Sequence, residues 1–303
     1  MEYVNHITEL IGNTPIIKIN NFDIPEEVHL YAKLEFANPG GSIKDRIGKH
    51  LIEKYEKEGR LKKGSTIIEA TAGNTGIGIA LAAVNRGYKV IFIVPGKFSV
   101  EKQMLMKALG AEIINIPTEA VLQGAYKVIE ELKREIEDIV VVNQFDNPDN
   151  VEAHYLYTGR EIYKQMEGRI DVFISGAGSG GTFTGVMKYL KEKNPSIKGV
   201  LADPYGSIIG GGACHAYRIE GIGNDFIPGN LEMNLVDDVE KISDEEAFGA
   251  VKDLAKKKGL LVGSSSGAVF AAAIKQAKKM KKGNIVMIFA DRSDRYLSKN
   301  IYQ

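Results

Sequence analysis

One lysine follows a tight turn. In Asn38-Pro39-Gly40-Gly41-Ser42-Ile43-Lys44-Asp45-Arg46, a proline and two glycines precede Lys44 at the apparent start of a helix. An amine attacks a carbonyl only when neutral, and burial or cationic neighbours depress a lysine toward that state. Arg46 is the cation nearest in sequence. The ordinary alternative is a surface lysine.

Four loops add chemistry. The first, Ala70-Thr71-Ala72-Gly73-Asn74-Thr75-Gly76, leads into a small-residue helix. Backbone N–H groups at a helix start attract anions, and the Asn74 amide both donates and accepts. The second, Gly176-Ala177-Gly178-Ser179-Gly180-Gly181-Thr182, has glycines that let the backbone wrap closely around a ligand, with two hydroxyls beside them. It reads as a phosphate cradle. It also matches G-x-G-x-x-G, with Asp203 22 residues beyond Gly181. That is the dinucleotide fingerprint, and it supports a rival: an NAD-dependent oxidoreductase. The third, Gly263-Ser264-Ser265-Ser266-Gly267, opens an alanine-rich helix and is open to a plain capping role. In the fourth, Glu220-Gly221-Ile222-Gly223-Asn224-Asp225, Asp225 is either a solvated acid or a group aimed at a ligand.

A dinucleotide leaves Lys44 without a task. Pyridoxal 5'-phosphate uses more of these residues. It needs an amine for its Schiff base, a phosphate site, a partner for its pyridine nitrogen and a contact to its ring hydroxyl. Lys44, residues 178–182, Ser265 and Asn74 supply these in turn.

Alternating short β-branched runs and amphipathic stretches must position these loops. Strands are expected at 66–69, 89–94, 112–116 and 138–142, with helices near 75–87, 99–109 and 119–135. A second set has strands at 171–175, 197–202 and 284–290, with helices at 181–193, 244–258 and 266–279. This alternation predicts an α/β fold of two domains, each a mostly parallel sheet flanked by helices. The polar turn Asp146–Asn150 is the expected boundary. Ligands sit at the C-terminal ends of such strands, where all four loops fall.

The chain has 303 residues, with 39 basic and 39 acidic side chains. That balance provides no overall basic field for nucleic acid or an anionic membrane. No apolar run approaches the roughly 20 residues of a membrane span, and the first residues lack the pattern of a signal peptide. A cytoplasmic location is expected. The one cysteine, Cys214, excludes an intrachain disulfide and reads as structural or surface. His6, His29, His50 and His154 show no metal spacing.

From IGNTP at residues 11–15 to DRYLSK near the end, the chain resembles the cysteine synthase and cystathionine β-synthase family, pyridoxal-phosphate enzymes of the second fold type. NPGGSIKDR, TAGNTG, GSGGT, EGIG and GSSSGA carry the resemblance, in that order. TAGNTG, VPGKFSVEKQMLMKALGA and GLLVGSSSGA are most similar to bacterial O-acetylserine-dependent cystathionine β-synthases. The resemblance implies that Lys44 joins the cofactor and then acts as the base. It implies that Gly178, Ser179, Gly180, Gly181 and Thr182 hold the phosphate, Ser265 the ring nitrogen and Asn74 the ring hydroxyl. Thr71, Ala72, Gly73, Asn74, Thr75 and Gln144 match the substrate carboxylate site, with Gly221 nearby.

The implied domains are 38–148 (smaller, substrate-binding) and 1–37 with 149–303 (larger, cofactor-binding), in a homodimer. The implied reaction is β-replacement on O-acetylserine or cysteine through an α-aminoacrylate. Homocysteine or sulfide then adds, giving cystathionine or cysteine. The alternative within the family is a cysteine lyase that releases hydrogen sulfide and forms serine or lanthionine. No haem and no nucleotide regulation are expected. Two departures bear on substrate choice. Ala72 stands where plain cysteine synthases usually carry serine, and Asp225 where they usually carry glycine. Asp225 is expected at the active-site entrance, binding a second amino acid or acting as base toward an incoming thiol or water.

Overall fold

A computed structural model of the chain describes residues 1, 3–71, 73–95, 99–117 and 121–302. In chain order the first elements are β1 (Ile16–Ile19), β2 (Val28–Leu34), α1 (Lys44–Lys57), β3 (Thr66–Ala70) and α2 (Asn74–Ala83). Then come β4 (Lys89–Pro95), α3 (Val100–Ala108), β5 (Glu112–Ile116), α4 (Val121–Glu135) and β6 (Ile139–Val141). Next are α5 (Pro148–Ala153), a π-helical turn at His154–Gly159, α6 (Arg160–Gln165), β7 (Val172–Ser175), α7 (Gly181–Lys193) and β8 (Lys198–Pro204). Last come β9 (Asp238–Ile242), α8 (Asp244–Lys258), α9 (Ser264–Lys279) and β10 (Gly283–Phe289).

These elements form two units. Met1–Ile11 and Asn38–Asp149 make the smaller, and Gly12–Ala37 with the chain from Asn150 onward makes the larger. The first eleven residues thus pack with the smaller unit, whereas the sequence reading put all of 1–37 with the larger. The smaller unit's sheet has strand order β5-β4-β3-β6, all parallel. Side chains alternate across a strand, so each strand of this sheet feeds two cores. Ile67, Val90, Phe92 and Val94 pack with Ile47 and Leu51 of α1 and Ile77 of α2. Ile68, Ile91 and Ile93 pack with Ala125 and Ile129 of α4. Each such fully buried side chain contributes roughly 1.5–3 kcal/mol.

The larger unit's sheet has order β1-β2-β10-β7-β8-β9, parallel except for the antiparallel β1–β2 pair. Its main core joins Leu30, Ile174, Val200, Ile285 and Phe289 of the strands to α8 and α9. The architecture is the expected α/β fold with parallel sheets flanked by helices.

Several elements escaped the sequence reading, for physical reasons. β1 and β9 are sheet edges, and their polar residues break the apolar run that marks a buried strand. β2 is internal but carries Lys33, fully buried among Thr14 O (2.6 Å), Glu161 (2.8 Å) and Gln165 (2.8 Å). The helix expected to reach residue 87 ends at Ala83, where Asn85 and Gly87 turn with positive φ. The turn at 146–150, where the chain passes from the smaller to the larger unit, runs into α5.

Candidate active site

In the smaller unit, Gly40 donates its N–H to Asp45 (2.5 Å), and Gly41 closes a turn onto Asn38 O (2.8 Å). The Ser42 hydroxyl accepts from Lys44 N (3.2 Å), and Lys44 is the first residue of α1. α1 lies against α2 backbone to backbone. A Cβ on Gly78 would overlap the Lys44 carbonyl, and one on Gly48 would overlap the Gly78 carbonyl, so this approach requires glycine at both places.

Lys44 as a residue keeps some solvent contact, but burial of its amine lowers its pKa from 10.5 to about 8, against the opposing pull of Glu69. The neutral fraction near neutral pH is then roughly 300-fold that of an ordinary lysine. The sequence pointed to Arg46 as a neighbour that could lower it; burial is the largest cause.

β3 ends at Ala70, and α2 starts four residues later with Gly73 as its N-cap and no side-chain cap. Thr71 is buried and accepts from Gly73 N (3.3 Å). Asn74 is half-buried on the first turn. The Thr75 hydroxyl donates to Gln144 Oε1 (2.6 Å), joining the helix start to the residues after β6. Thr71, Gly73, Asn74, Thr75 and Gln144 are thus gathered at one sheet end. Ala72 lies outside the described residues.

In the larger unit, the glycine loop connects β7 to α7. Gly180 caps α7 in a left-handed conformation (φ 83°) with no side-chain cap, so the first N–H groups are left for a ligand. The loop is gripped from outside. Asn150 Nδ2 donates to Ser179 Oγ (2.9 Å), and the hydroxyl of Thr182 meets His154 Nε2 (3.1 Å). His154 is fully buried, and its Nδ1 meets Thr158 Oγ1 (2.9 Å). A Cβ on Gly178 would overlap Gly221 O, and one on Gly181 would overlap Asn150 Oδ1.

The Glu220–Asp225 segment ties the larger unit's loops together. Glu220 N donates to Ser264 Oγ (3.0 Å), Gly223 N to Ala177 O (2.8 Å) and Asn224 Nδ2 to Gly178 O (2.7 Å). Gly221 turns with φ 88°. Asp225, the next residue after Asn224, is exposed, and its charge helps raise the Tyr217 pKa after burial and Asp203.

The three serines of α9 divide their tasks. Ser264 takes Glu220, Ser266 accepts from Ala290 N (3.0 Å), and neither they nor Ser265 cap the helix. Ser265 is buried, and its hydroxyl bonds to none of the described residues. Asp203, the acid of the oxidoreductase rival, is held by Lys241 (2.6 Å) and Gly210 N (2.9 Å). Cys214 is exposed. Among the described residues no His, Cys, Asp and Glu cluster is fit for a metal, and no helix is long and apolar enough to cross a membrane.

Sequence reasoning missed Asn150, the contacts of His154 and Asn224, and Glu69. An acid inside the otherwise apolar run TIIEA was the available signal for Glu69. It is buried, accepts from Gln144 N (3.3 Å), and has its pKa raised by burial from 4.5 to about 7.

This chain is a member of the pyridoxal-phosphate-dependent enzyme family, whose model matches residues 7–291. It is 52% identical to the O-acetylserine-dependent cystathionine β-synthase of Bacillus subtilis, over 100% of this chain and 99% of that one. Among solved structures it is similar to the O-acetylserine-dependent cystathionine β-synthase of Helicobacter pylori, with a TM-score of 0.96 and 48% identity over 100% of both chains. It is similar as well to a hydrogen sulfide-producing enzyme of Fusobacterium nucleatum, with a TM-score of 0.93 and 40% identity over 97% of this chain and 100% of that one.

The residues present fit the family's cofactor. An uncapped helix start ringed by hydroxyls and closed by glycines suits its phosphate. A buried hydroxyl with no bond to the described residues suits a ring nitrogen. A desolvated lysine suits its aldehyde.

Proposed function

We propose that this enzyme performs β-replacement on a β-substituted L-amino acid, taking O-acetylserine and homocysteine to cystathionine and acetate, with sulfide as a competing nucleophile that yields cysteine. One observation carries the reading: the amine of Lys44 is desolvated at the start of α1, on the unit that also gathers Thr71–Gln144. The 52% identity to a cystathionine β-synthase supports the choice of substrates.

Pyridoxal 5'-phosphate, when bound, supplies an electron sink for the substrate α-carbon. The loop Gly178–Thr182 binds its phosphate, Ser265 faces its ring nitrogen and Asn74 its ring hydroxyl. Thr71, Ala72, Gly73, Asn74 and Thr75, with Gln144, orient the substrate carboxylate. Lys44 Nζ takes the proton from the α-carbon and returns it after the thiol has added at the β-carbon. Ser265, being neutral, stabilises a ring cation less than a carboxylate would. That favours prompt loss of the β-substituent over transamination. Asp225 stands at the entrance and receives the amino group of the second substrate or the proton of the incoming thiol. In this reading the smaller unit binds substrate and the larger binds cofactor, in a cytoplasmic homodimer.

A second reading is supported by the 40% identity to a hydrogen sulfide-producing enzyme. Here cysteine is the donor, sulfide leaves, and water or a second cysteine adds to give serine or lanthionine. Mass spectrometry of products separates the two. Cystathionine from O-acetylserine and homocysteine, with no sulfide from cysteine alone, supports the first. Sulfide with serine or lanthionine from cysteine alone supports the second. Neither product set from the cofactor-loaded enzyme rules out both.

A further inference from the structure

Glu69 is a buried acid with no task in the chemistry above. It follows Ile68 on β3, and β6 runs parallel beside it with Val141 opposite Ile68. Val142 N donates to Ile68 O (3.0 Å). In a continued parallel ladder the next N–H to bond, that of Gln144, would go to the carbonyl of Ala70. It goes instead to the Glu69 side chain, where Oε1 accepts it over 3.3 Å. Asn143, one residue earlier, turns with φ 51°, and its Oδ1 accepts from the Tyr126 hydroxyl (3.1 Å). Asp146 N then closes a turn onto Asn143 O (3.1 Å). A side chain of β3 thus takes over from the backbone where the chain leaves β6, at the residue that carries the Gln144 amide.

Gln144 is buried, and its Oε1 accepts from the Thr75 hydroxyl (2.6 Å) at the start of α2. A hydroxyl both donates and accepts, so Thr75 alone does not decide which end of the amide faces it. An ionised carboxylate only accepts. Among the hydrogen bonds that oppose burial at Glu69, one comes from the Gln144 side chain. The amide nitrogen is then turned toward Glu69 and the oxygen toward Thr75. A neutral glutamine at 69 could receive Gln144 N just as well. It would not bury a charge whose Oε2 has no hydrogen-bond partner among the described residues, which is a costly state. What the acid adds over the amide is the orientation of Gln144.

We infer that Glu69 is a positioning residue for recognition of the substrate carboxylate: by accepting from Gln144 it anchors the turn after β6 and keeps the Gln144 amide from presenting its oxygen to that anion. An amide turned over would set an acceptor against a negative charge. The effect therefore falls on recognition of the carboxylate and not on the cofactor.

The inference rests on the reading that Gln144 binds the substrate carboxylate, and the experiment keeps the two apart. Steady-state kinetics of the holoenzyme are compared for O-acetyl-L-serine, or L-cysteine if that is the donor, and for the carboxamide of the same amino acid. Gln144→Ala is expected to reduce the preference for the carboxylate. An unchanged preference in that variant overturns the reading of the site, and the inference with it. Glu69→Gln is expected to raise KM for the amino acid and to cut the preference for carboxylate over carboxamide roughly tenfold, with cofactor affinity as in wild type. A preference equal to wild type in folded Glu69→Gln, with Gln144→Ala impaired, overturns the inference alone. Should Glu69→Gln not fold, the wild-type chain labelled with ¹⁵N-glutamine is observed by NMR. The side-chain signal that disappears in Gln144→Asn is expected to show an amide proton protected from exchange. Exchange of both its protons as fast as in free glutamine overturns the inference.

Discussion

Asn150 holds the glycine loop by its side chain: Nδ2 donates to the Ser179 hydroxyl over 2.9 Å, and Oδ1 occupies the space that a Cβ on Gly181 would enter. This contact keeps Ser179 and the start of α7 in place inside the larger unit. Gly181→Ala is therefore expected to displace Asn150 and to weaken pyridoxal-phosphate binding by roughly tenfold or more, as overpacking costs about 1–3 kcal/mol. Asn150→Ala is expected to weaken it in the same direction. Titration of the cofactor-free chain by visible absorbance measures both, and unchanged affinity in each would remove the loop from the cofactor site.

Lys44→Ala is expected to bind cofactor without a borohydride-fixable bond and to lose about 10²–10⁴ in turnover, the usual weight of a general base. Borohydride reduction followed by mass spectrometry reads the first effect, and steady-state kinetics the second.

The Thr75 hydroxyl donates to Gln144 over 2.6 Å and fixes the residues assigned to the substrate carboxylate. A buried hydrogen bond of this kind contributes about 0.5–1.5 kcal/mol. Thr75→Val is expected to raise KM for the first amino acid about two- to tenfold, with cofactor affinity unchanged. A KM equal to wild type would release this pair from substrate binding.

Asp225 is exposed beside Asn224, the residue that ties its segment to Gly178. Asp225→Gly is expected to change the ratio of cystathionine to cysteine when homocysteine and sulfide compete. Identical kinetics with every nucleophile would show that the acid handles neither.

Glu69 and Lys44 also predict how the cofactor-free chain responds to pH. Glu69 titrates near 7 when folded and 4.5 when unfolded, so the unfolded chain releases that proton first. Stability is then fully present below about 4.5 and is lost as pH rises to about 7. Lys44 titrates near 8 when folded and 10.5 when unfolded, so its contribution is lost as pH falls through 8 and returns toward 10.5. The two together place a stability minimum between about pH 7 and 8. Glu69→Gln is expected to flatten the acid limb by up to about 3 kcal/mol, seen as a smaller fall in melting temperature between pH 5 and 7.5.

The chain's local order was enough to propose the chemistry. Glycines around Lys44 and across 176–181, hydroxyls at helix starts, and alternating apolar runs are short-range patterns, and turn geometry and helix termini follow from neighbours in sequence. They sufficed for the parallel α/β architecture and for proposing the reactive amine and the phosphate loop. What surrounds those groups was decided by packing. Lys44 and Gly78 are 34 residues apart on two helices, and their backbones meet because Gly48 and Gly78 let α1 and α2 touch. Asn150 and His154 reach Ser179 and Thr182 only because α5 and the π-helical turn lie against α7. β2 was hidden because a buried ion pair and amide satisfy Lys33. Desolvation depends on everything packed around a group, so the basicity of Lys44 and the acidity of Glu69 exist only in the folded chain.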